Sequence, residues 1–327
     1  MILKFGTLKW VLKIKKELGK VLLNNMDNLH KPVLVKEIIE RIDFNNCNFF
    51  LDGTFGAGGH TNEILSRGSK VIGLDNYEKS KTIALKNKSI NKKFDFYQSN
   101  FKDIDKVIKK NHITDKFDGV LLDLGFSSNQ LEDNDVGLSF KNDVPLKMNY
   151  ADYEISAYDI LNDYSEEKLE KIFSEYGEIS NSKKLAKFII TYRKINEIKS
   201  TFDFIELLKK SRVNFGSKKI NFATKPFQAL RIEANNELEN LKIFLVKIKQ
   251  FLNNNALIFI ISFHSLEDRI VKNHFKNYSL KRDLTFQENQ VWGYEILTKR
   301  PITADRDELK NNPRARSAKL RVARYKC

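Results

Sequence analysis

Short apolar runs alternate with segments of helical periodicity from residue 48 onward. Strands and helices that alternate in this way form right-handed βαβ units, and such units build a mostly parallel sheet covered by helices. The pattern therefore predicts a doubly wound α/β fold. The predicted strands are NFFLD (48–52), KVIGLD (70–75), FDFYQS (94–99), FDGVLLDLG (117–125), ALIFIIS (256–262), VWGYEIL (291–297) and KLRVARY (319–325).

The strand pattern is interrupted between residues 131 and 235, where a polar loop is followed by three segments with helical spacing. We predict a helical insertion, residues 131–235, with a role in substrate recognition. It separates two parts of one sheet domain, residues 29–130 and 236–327. A long helix is also expected from about Ala234 to Leu252, because leucine and isoleucine recur on one face.

Residues 1–28 are predicted to be a basic N-terminal extension. Residues 1–24 contain six Lys and one Glu, a net charge of +5. This segment is too charged to span a bilayer, and it lacks the composition of a transit peptide or a secretory signal. An amphipathic surface helix and an overextended gene start before Met26 are both consistent with the pattern.

Charge and cysteine content narrow the class of protein further. The formal net charge is +15, and residues 299–327 contribute +7 of it from ten Lys and Arg against three acids. A positive surface attracts polyanions such as nucleic acid, although an AT-rich genome could also inflate the lysine content. Cys47 and Cys327 form no CxxC pair, so we expect a cytoplasmic protein without a disulfide framework, a metal cluster or a membrane segment.

A glycine-rich loop, DGTFGAGGH, follows the first predicted strand. Glycines let the backbone turn sharply and approach a ligand at the carboxyl end of a strand. The dinucleotide fingerprint starting at Gly56 would require a glycine where this chain has Thr61, which disfavours a hydride-transfer cofactor. Asp75 ends the second strand and is placed to accept hydrogen bonds from the ribose of an adenosine. Loop and acid together suit either NAD or S-adenosylmethionine.

Two further strand ends carry candidate ligand-binding residues. Phe101, after the third strand, could pack against an adenine, and Asp123 ends the fourth strand. Each feature also has a structural interpretation: the glycines as a plain turn, Asp75 and Asp123 as caps, and Phe101 as core packing. Their occurrence at successive strand ends favours a common ligand site.

Long blocks of the sequence resemble the RsmH/MraW family over about residues 29–325. The resemblance implies a Rossmann-like class I enzyme that transfers methyl from S-adenosyl-L-methionine to N4 of a cytidine in the decoding region of 16S rRNA. It also implies rRNA within the small ribosomal subunit or its late precursor as partner, and leaves open a homodimer. The blocks are HKPVLVKEII (30–39), LDGTFGAGGHTNEIL (51–65), DGVLLDLGFSSNQLED (118–133), GLSF (137–140), FQALRIEANNELE (227–239), ISFHSLEDRIVK (261–272) and NPRARSAKLRVAR (312–324).

The family's cofactor contacts can be carried over by matching motif. The loop residues, Asp75, Phe101 and Asp123 coincide with the strand ends identified above, whereas Gln130 rests on the resemblance alone. The cofactor-binding residues implied in this way are Gly58, Gly59, His60, Asp75, Phe101, Asp123 and Gln130.

The cytosine amine is a poor nucleophile, so catalysis needs positioning and a hydrogen-bond acceptor facing an N4 hydrogen. Asp123, or a carbonyl of the Leu124–Gly125 turn, is placed for that role. His264 follows the strand ALIFIIS and is predicted to face the same crevice, either in catalysis or as a buried structural residue. Ser265 and Asp268 fit a helix-capping box.

Several residues are candidates for contact with RNA. The predicted helix face of Gln228, Arg231 and Asn235 could bind RNA or join the two lobes. Phe126 or Phe140 could stack on an extruded base. A basic tail could track phosphates or be a solvated charge run. Its residues are Arg314, Arg316, Lys319, Arg321 and Arg324.

One motif departs from the family pattern. The family usually has PLDMRM where this chain has PLKMNY, so Lys147 replaces an acid and Asn149 replaces an arginine. The change puts the substrate-side loop in doubt. It leaves two alternatives to the cytosine-N4 enzyme: a catalytically weakened paralogue that acts as an RNA-binding assembly factor, and a methyltransferase of another nucleic acid.

Overall fold

The computed structural model describes residues 32–127, 130–131, 133–139, 141–150, 155–215, 221–280 and 292–327. The basic extension of residues 1–28 and the stacking candidate Phe140 lie outside the described residues. Val33–Cys327 form one compact unit. No helix in the described ranges is both long enough and apolar enough to cross a membrane.

Seven strands form one sheet in the order β3-β2-β1-β4-β5-β7-β6. Neighbouring strands from β3 to β5 are parallel, whereas β7 runs antiparallel to both β5 and β6. This arrangement confirms the predicted mostly parallel α/β sheet. The strands are β1 (Phe49–Asp52), β2 (Lys70–Asp75), β3 (Phe94–Gln98), β4 (Phe117–Asp123), β5 (Leu252–Ser262), β6 (Gly293–Ile296) and β7 (Lys319–Lys326).

Helices cover the sheet and fill the stretch between β4 and β5. Those next to the sheet are α1 (Val35–Ile39), α2 (Gly59–Ser66), α3 (Ser80–Ile90), α4 (Ile104–Lys110), α10 (Glu237–Lys247), α11 (Ser265–Asn277) and α12 (Arg306–Asn311). Those between β4 and α10 are α5 (Ala157–Asp163), α6 (Glu166–Glu175), α7 (Ser182–Arg193), α8 (Thr201–Ser211) and α9 (Thr224–Asn235).

Both faces of the central strands are buried, which explains their continuous apolar runs. Because side chains alternate along a strand, Leu51 of β1 packs into the cluster that includes Phe244 of α10, and Phe50 packs into the cluster on the opposite face. Gly119 of β4 accommodates the Phe50 ring, since a Cβ at this position would lie 1.9 Å from it. These strands hold their carboxyl ends together at one edge of the sheet.

Helices α5–α9 share a separate hydrophobic cluster that includes Leu161, Phe173 and Phe204. The three segments predicted to be helical in this stretch match α6, α7 and α8. Capping boxes begin two of the helices, because Ser156 and Ser200 each exchange hydrogen bonds with the residue three positions on. The assignment of this stretch as a separate domain stays a prediction.

The long helix expected from Ala234 to Leu252 is wrong. Helix α9 ends at Asn235, and Asn236 adopts φ 50° and ψ 36°, in the left-handed region, before α10 begins. A 3₁₀ turn covers Ile248–Phe251, and Leu252 is the first residue of β5. Asparagine is one of the few residues that tolerates the left-handed conformation, so the apolar periodicity continues across a break in the helix.

Candidate active site

The glycine-rich loop lies at the carboxyl end of β1 and is held against β2. The Phe55 amide donates to the Leu74 carbonyl at 2.8 Å, and the Gly56 amide donates to Asp75 Oδ2 at 2.6 Å. Gly56 and Gly58 have φ values of 55° and 78°. At Gly58 a Cβ would also lie 2.8 Å from the Phe55 ring, so both the backbone and the packing require glycine there.

Asp75 fixes the shape of this loop. Besides the Gly56 amide, its carboxylate accepts the Tyr77 amide at 2.8 Å. Burial raises the pKa of Asp75, although hydrogen bonds from Tyr77 and Gly56 act in the opposite direction. The Ser80 side chain and the Asn76 amide also donate to this carboxylate, so contacts within the protein occupy most of its roughly four acceptor positions. Asp75 therefore has a structural role, and its role in ligand binding stays a prediction.

Asp123 ends β4 beside the loop. Its amide donates to Thr54 Oγ1 at 2.6 Å, and its Oδ2 lies 3.8 Å from His60 Nδ1. Among the described residues, Oδ1 is buried and has no hydrogen-bond partner. Burial, together with the nearby carboxylates of Asp52 and Glu267, raises the pKa of Asp123 to about 8. The buried carboxyl group therefore holds a proton more tightly than an exposed aspartate does.

His60 is buried next to Asp123. Its Nε2 lies 2.9 Å from the Val33 carbonyl, which can only accept, so Nε2 carries the hydrogen and Nδ1 offers its lone pair to Asp123. Burial lowers the pKa of His60 to about 4. The imidazole that lies next to Asp123 Oδ2 is thus neutral.

Phe101 and Gln130 lie on either side of the glycine-rich loop. Phe101 packs edge-on against Phe244, with ring centroids 5.5 Å apart, and a Cβ on Gly53 would lie 3.3 Å from its Cβ. Gln130 Oε1 accepts the Ser127 amide at 2.7 Å. Ser127 in turn is next to Gly56, because a Cβ on Gly56 would lie 3.4 Å from the Ser127 Cβ. All the residues predicted to bind cofactor therefore lie in or next to the glycine-rich loop.

His264 caps helix α11. Its Nδ1 accepts the Glu267 amide at 3.4 Å, and Glu267 Oε2 accepts the His264 amide at 3.3 Å. The capping box predicted for Ser265 and Asp268 is therefore wrong: the extended backbone of His264 makes it the N-cap, and the box partner is Glu267. Ser265 instead donates to Glu178 at 3.0 Å.

The predicted helix face on α9 mainly joins segments of the protein. Gln228 donates to the Tyr176 carbonyl at 3.0 Å, and Asn235 donates to the Met148 carbonyl at 2.7 Å. Arg231 forms an ion pair with Glu237, with Nε 2.8 Å from Oε1 and one terminal nitrogen 3.0 Å from Oε2. Its guanidinium also lies 5.0 Å from the centroid of the Phe126 ring.

Two arginines of the basic tail were wrongly predicted to be available for phosphates. Arg321 is 8% exposed and contacts Asp268 through two nitrogens at 2.6 and 3.1 Å. Arg324 donates to Glu295 at 2.9 Å. Both side chains therefore form ion pairs within the protein, with Asp268 and with Glu295. A phosphate-binding role stays a prediction for Arg314, Arg316 and Lys319.

The departing PLKMNY loop is held by its backbone. The Lys147 carbonyl accepts the Ala157 amide at 2.8 Å, and the Met148 amide donates to the Val136 carbonyl at 2.7 Å. The Lys147 side chain is exposed. The Tyr150 hydroxyl, which stands where the family usually has methionine, donates to Glu237 Oε1 at 3.3 Å. The Lys147 side chain thus meets the surface, and the Tyr150 side chain meets the Arg231 ion pair.

Sequence reasoning missed Glu237, Glu267 and Tyr150. All three approach Arg231 or His264 in the structure, but Glu237 and Tyr150 come from separate segments and match no spacing rule. The spacing of His264 and Glu267 at i and i+3 was the one available signal of their contact. It was easily missed, because histidine is an unusual N-cap residue.

This sheet order, with β7 antiparallel between β5 and β6, a glycine-rich loop after β1 and an acid at the end of β2, defines a Rossmann-like class I methyltransferase. More specifically, the chain belongs to the MraW methylase family, whose model matches residues 27–326. The family predicted from the sequence blocks is confirmed.

Relatives that are about 40% identical in sequence agree with this assignment. Ribosomal RNA small subunit methyltransferase H of Fusobacterium nucleatum is 41% identical over 308 residues, which cover 90% of this chain and 96% of the relative. The proteins of the same name from Sulfurihydrogenibium azorense and Rickettsia typhi are 40% and 39% identical, over 90% and 91% of this chain and 98% and 99% of the relatives. The crystal structure of an rRNA methylase from Streptococcus thermophilus is 9% identical, with a TM-score of 0.35 over 90% of this chain and 94% of that one.

Proposed function

We propose that this protein transfers the methyl group of S-adenosyl-L-methionine to N4 of a cytidine in the decoding region of 16S rRNA, in the cytoplasm. The observation that carries this proposal is the buried, unpartnered Oδ1 of Asp123 beside a glycine-rich loop that leaves no room for side chains. An acceptor of this kind is what an exocyclic amine needs in order to become a nucleophile.

The loop and its neighbours fit the cofactor. Gly58 ends the turn and Gly59 and His60 begin α2. The other predicted cofactor residues lie next to this loop: Asp75, Phe101, Asp123 and Gln130. A buried polar oxygen without a partner costs free energy unless a ligand satisfies it, so Asp123 favours a polar occupant. The cofactor supplies an activated sulfonium methyl group.

The residues of the chain supply positioning and proton acceptance. In its ionised form Asp123 would accept a hydrogen bond from N4 and would take up the proton that the methylated amine releases. His60 lies beside Asp123 as a neutral side chain and therefore adds no charge to the site. His264 holds Glu267 at the start of α11, so we assign it a positioning role rather than direct proton transfer.

Helices α5–α9 are proposed to bind the RNA around the target, with the small ribosomal subunit or its late precursor as the form that is recognised. Methylation assays that compare protein-free 16S rRNA with small subunits from a deletion strain would identify that form. Activity on protein-free RNA alone would contradict this part of the proposal.

Nucleoside mass spectrometry of rRNA from a deletion strain tests the activity. We expect N4-methylation of the decoding-region cytidine to disappear, to return with the wild-type gene, and to stay absent with Asp123→Asn. Unchanged N4-methylation after deletion would refute the proposed activity and favour an RNA-binding assembly factor. Loss of methylation in DNA instead would favour another nucleic acid as substrate.

A further inference from the structure

Arg231 and Phe126 meet close to Asp123 although they come from distant parts of the chain. Phe126 lies three residues beyond Asp123, in the turn that Gly125 opens with φ 93°, whereas Arg231 lies on α9. The guanidinium carbon is 5.0 Å from the Phe126 ring centroid, and Phe126 keeps 39% of its surface exposed. An aromatic ring that is partly exposed and flanked by a cation is suited to stacking on a planar base.

The charge of Arg231 is buried and held in place. Its side chain is 11% exposed, and Glu237 contacts two of its nitrogens. Burial alone would lower the pKa of Arg231, but Glu237, Tyr150 and Glu267 raise it, so the guanidinium stays charged. The two contacts to Glu237 do not use all five N–H donors of a guanidinium, and the remaining donors can serve a ligand.

Such an ion pair is a costly way to join two segments. Replacing a buried pair with apolar residues of similar size is often neutral or stabilising, because desolvation offsets the Coulomb attraction. Gln228 and Asn235 already join α9 to its neighbours through neutral hydrogen bonds. The charged Arg231, which lies next to the partly exposed Phe126 ring, is therefore not needed to join these segments and indicates a ligand.

One nearby polar atom also lacks a partner. Asp123 Oδ1 is buried without a hydrogen-bond partner among the described residues, whereas His264 Nε2 lies 3.3 Å from Glu267 Oε1. Both are electrostatically coupled to Glu267, as is Arg231. Ligand atoms of Glu237, His264 and Glu267 lie within 4.8 Å of one another, but Arg231 already supplies a cation to this group, which favours an organic ligand over a metal ion.

We propose that Phe126 and Arg231 form the seat of the target base and select cytosine, with Glu237 and Tyr150 fixing Arg231 in place. Cytosine offers adjacent acceptors at N3 and O2 that match guanidinium donors, whereas uracil carries a hydrogen on N3 that opposes them. Phe126 then supports the ring so that N4 points toward Asp123. This inference rests on the proposed function and makes Glu237 and Tyr150 positioning residues, because they act on the base through Arg231.

Competition binding tests the seat. Small subunits from the deletion strain, with either cytidine or a uridine substitution at the target position, compete for the protein in the presence of S-adenosylhomocysteine. We expect wild type to prefer the cytidine subunits by about 10-fold or more. Arg231→Lys and Phe126→Leu should each reduce that preference to within about 2-fold while cofactor affinity, measured by calorimetry, stays unchanged.

Arg321→Lys is the matched control, because it weakens a similarly buried bidentate arginine–carboxylate pair, formed with Asp268 of α11. It should keep the preference for cytidine. Phe126→Leu should fold even if Arg231→Lys does not, because the Phe126 side chain is partly exposed. If wild type shows no preference, or if both seat variants retain it, the seat is wrong. Failure of wild type to methylate either substrate would instead refute the proposed function.

Discussion

At Asp123, one oxygen faces His60 and the other has no partner among the described residues. Asn would preserve the size and one acceptor oxygen but remove the charge that favours a developing positive amine. It can also present an NH₂ group to an NH₂ group, and two donors cannot pair. We expect Asp123→Asn to reduce methyl transfer by roughly 10²-fold or more, about 2.7 kcal/mol of transition-state stabilisation.

Single-turnover measurements at saturating cofactor provide the check. If Asp123 serves mainly to bind cofactor, saturation should restore a near-normal rate, and the acceptor role would pass to the Leu124–Gly125 carbonyls or to His264. A purely structural role would lower thermal stability while the rate per folded molecule stayed unchanged.

The same residue should give a distinctive pH dependence of stability. Its folded pKa is about 8 against an ordinary value of 3.8, so the folded state binds this proton more tightly and loses stability as the pH rises between these values. Asp123→Asn cannot ionise. Without cofactor, its advantage over wild type in urea unfolding should therefore grow from pH 5 to pH 8.5.

His60 acts in the opposite direction in both proteins. Its folded pKa is about 4, below the ordinary 6.5, so its contribution is present above pH 6.5 and is lost as the pH falls toward 4. The difference between variant and wild type therefore isolates Asp123. Stability curves that run parallel over this range would show that Asp123 is ionised throughout.

Asp75 has a structural role beside its predicted role in ligand binding, because it accepts the backbone amides of Gly56 and Tyr77. We expect Asp75→Ala to weaken S-adenosylmethionine binding by about 1.5–3 kcal/mol through loss of charge-assisted hydrogen bonds. NAD should not bind either protein. Calorimetry that gives equal affinities for wild type and variant would remove Asp75 from the site.

Residues at strand ends could be predicted, whereas their partners could not. Asp75 and Asp123 follow apolar strands directly, so the sheet architecture brings them together whatever the details of packing. The Arg231 seat depends on how α9 meets the turn after β4, which no local pattern encodes. Predictions for Arg321 and Arg324 failed because their acidic partners lie 53 and 29 residues away in the chain.

Among the elements, central strands were predicted more accurately than helix ends. A buried parallel strand needs a continuous apolar run, whereas a helix can break at one residue without disturbing its apolar periodicity. Asn236 is such a residue: its φ of 50° ends α9, and Asn240 donates back to the Asn235 carbonyl at 2.8 Å. The break turns α10 toward the sheet and leaves Glu237 beside Arg231.

Substitutions at Asn236 test this break. Ala pays a steric cost of roughly 1–2 kcal/mol in the left-handed region, whereas Gly adopts it freely. We expect Asn236→Ala to lower the free energy of unfolding by about 1 kcal/mol and Asn236→Gly to change it by a few tenths. Urea denaturation measures both. If Asn236→Ala were instead more stable than Asn236→Gly by about 1 kcal/mol, the helix-interior preference, α9 and α10 would form one continuous helix.

At the scale of the whole molecule, positive charge is concentrated at the two ends of the chain. Residues 1–24 and 299–327 carry +5 and +7 of the total of +15. In the second segment, Arg321 and Arg324 are paired with acids, so the charge count overstates what can reach a phosphate. The first segment lies outside the described residues, and its role has to be tested directly.

Removing residues 1–25 should leave cofactor binding and methylation intact, because the family match begins at residue 27 and every site residue discussed above lies beyond it. RNA affinity measured from 50 to 200 mM salt makes the test sensitive, since each lost phosphate contact reduces the log–log slope by roughly 0.7–0.9. We expect the slope to change by less than about one contact. A truncated protein that folds and binds cofactor but shows a slope reduced by several contacts would make the segment an RNA-binding arm. Replacing its six lysines with glutamine in the full-length chain would then separate the effect of charge from that of length.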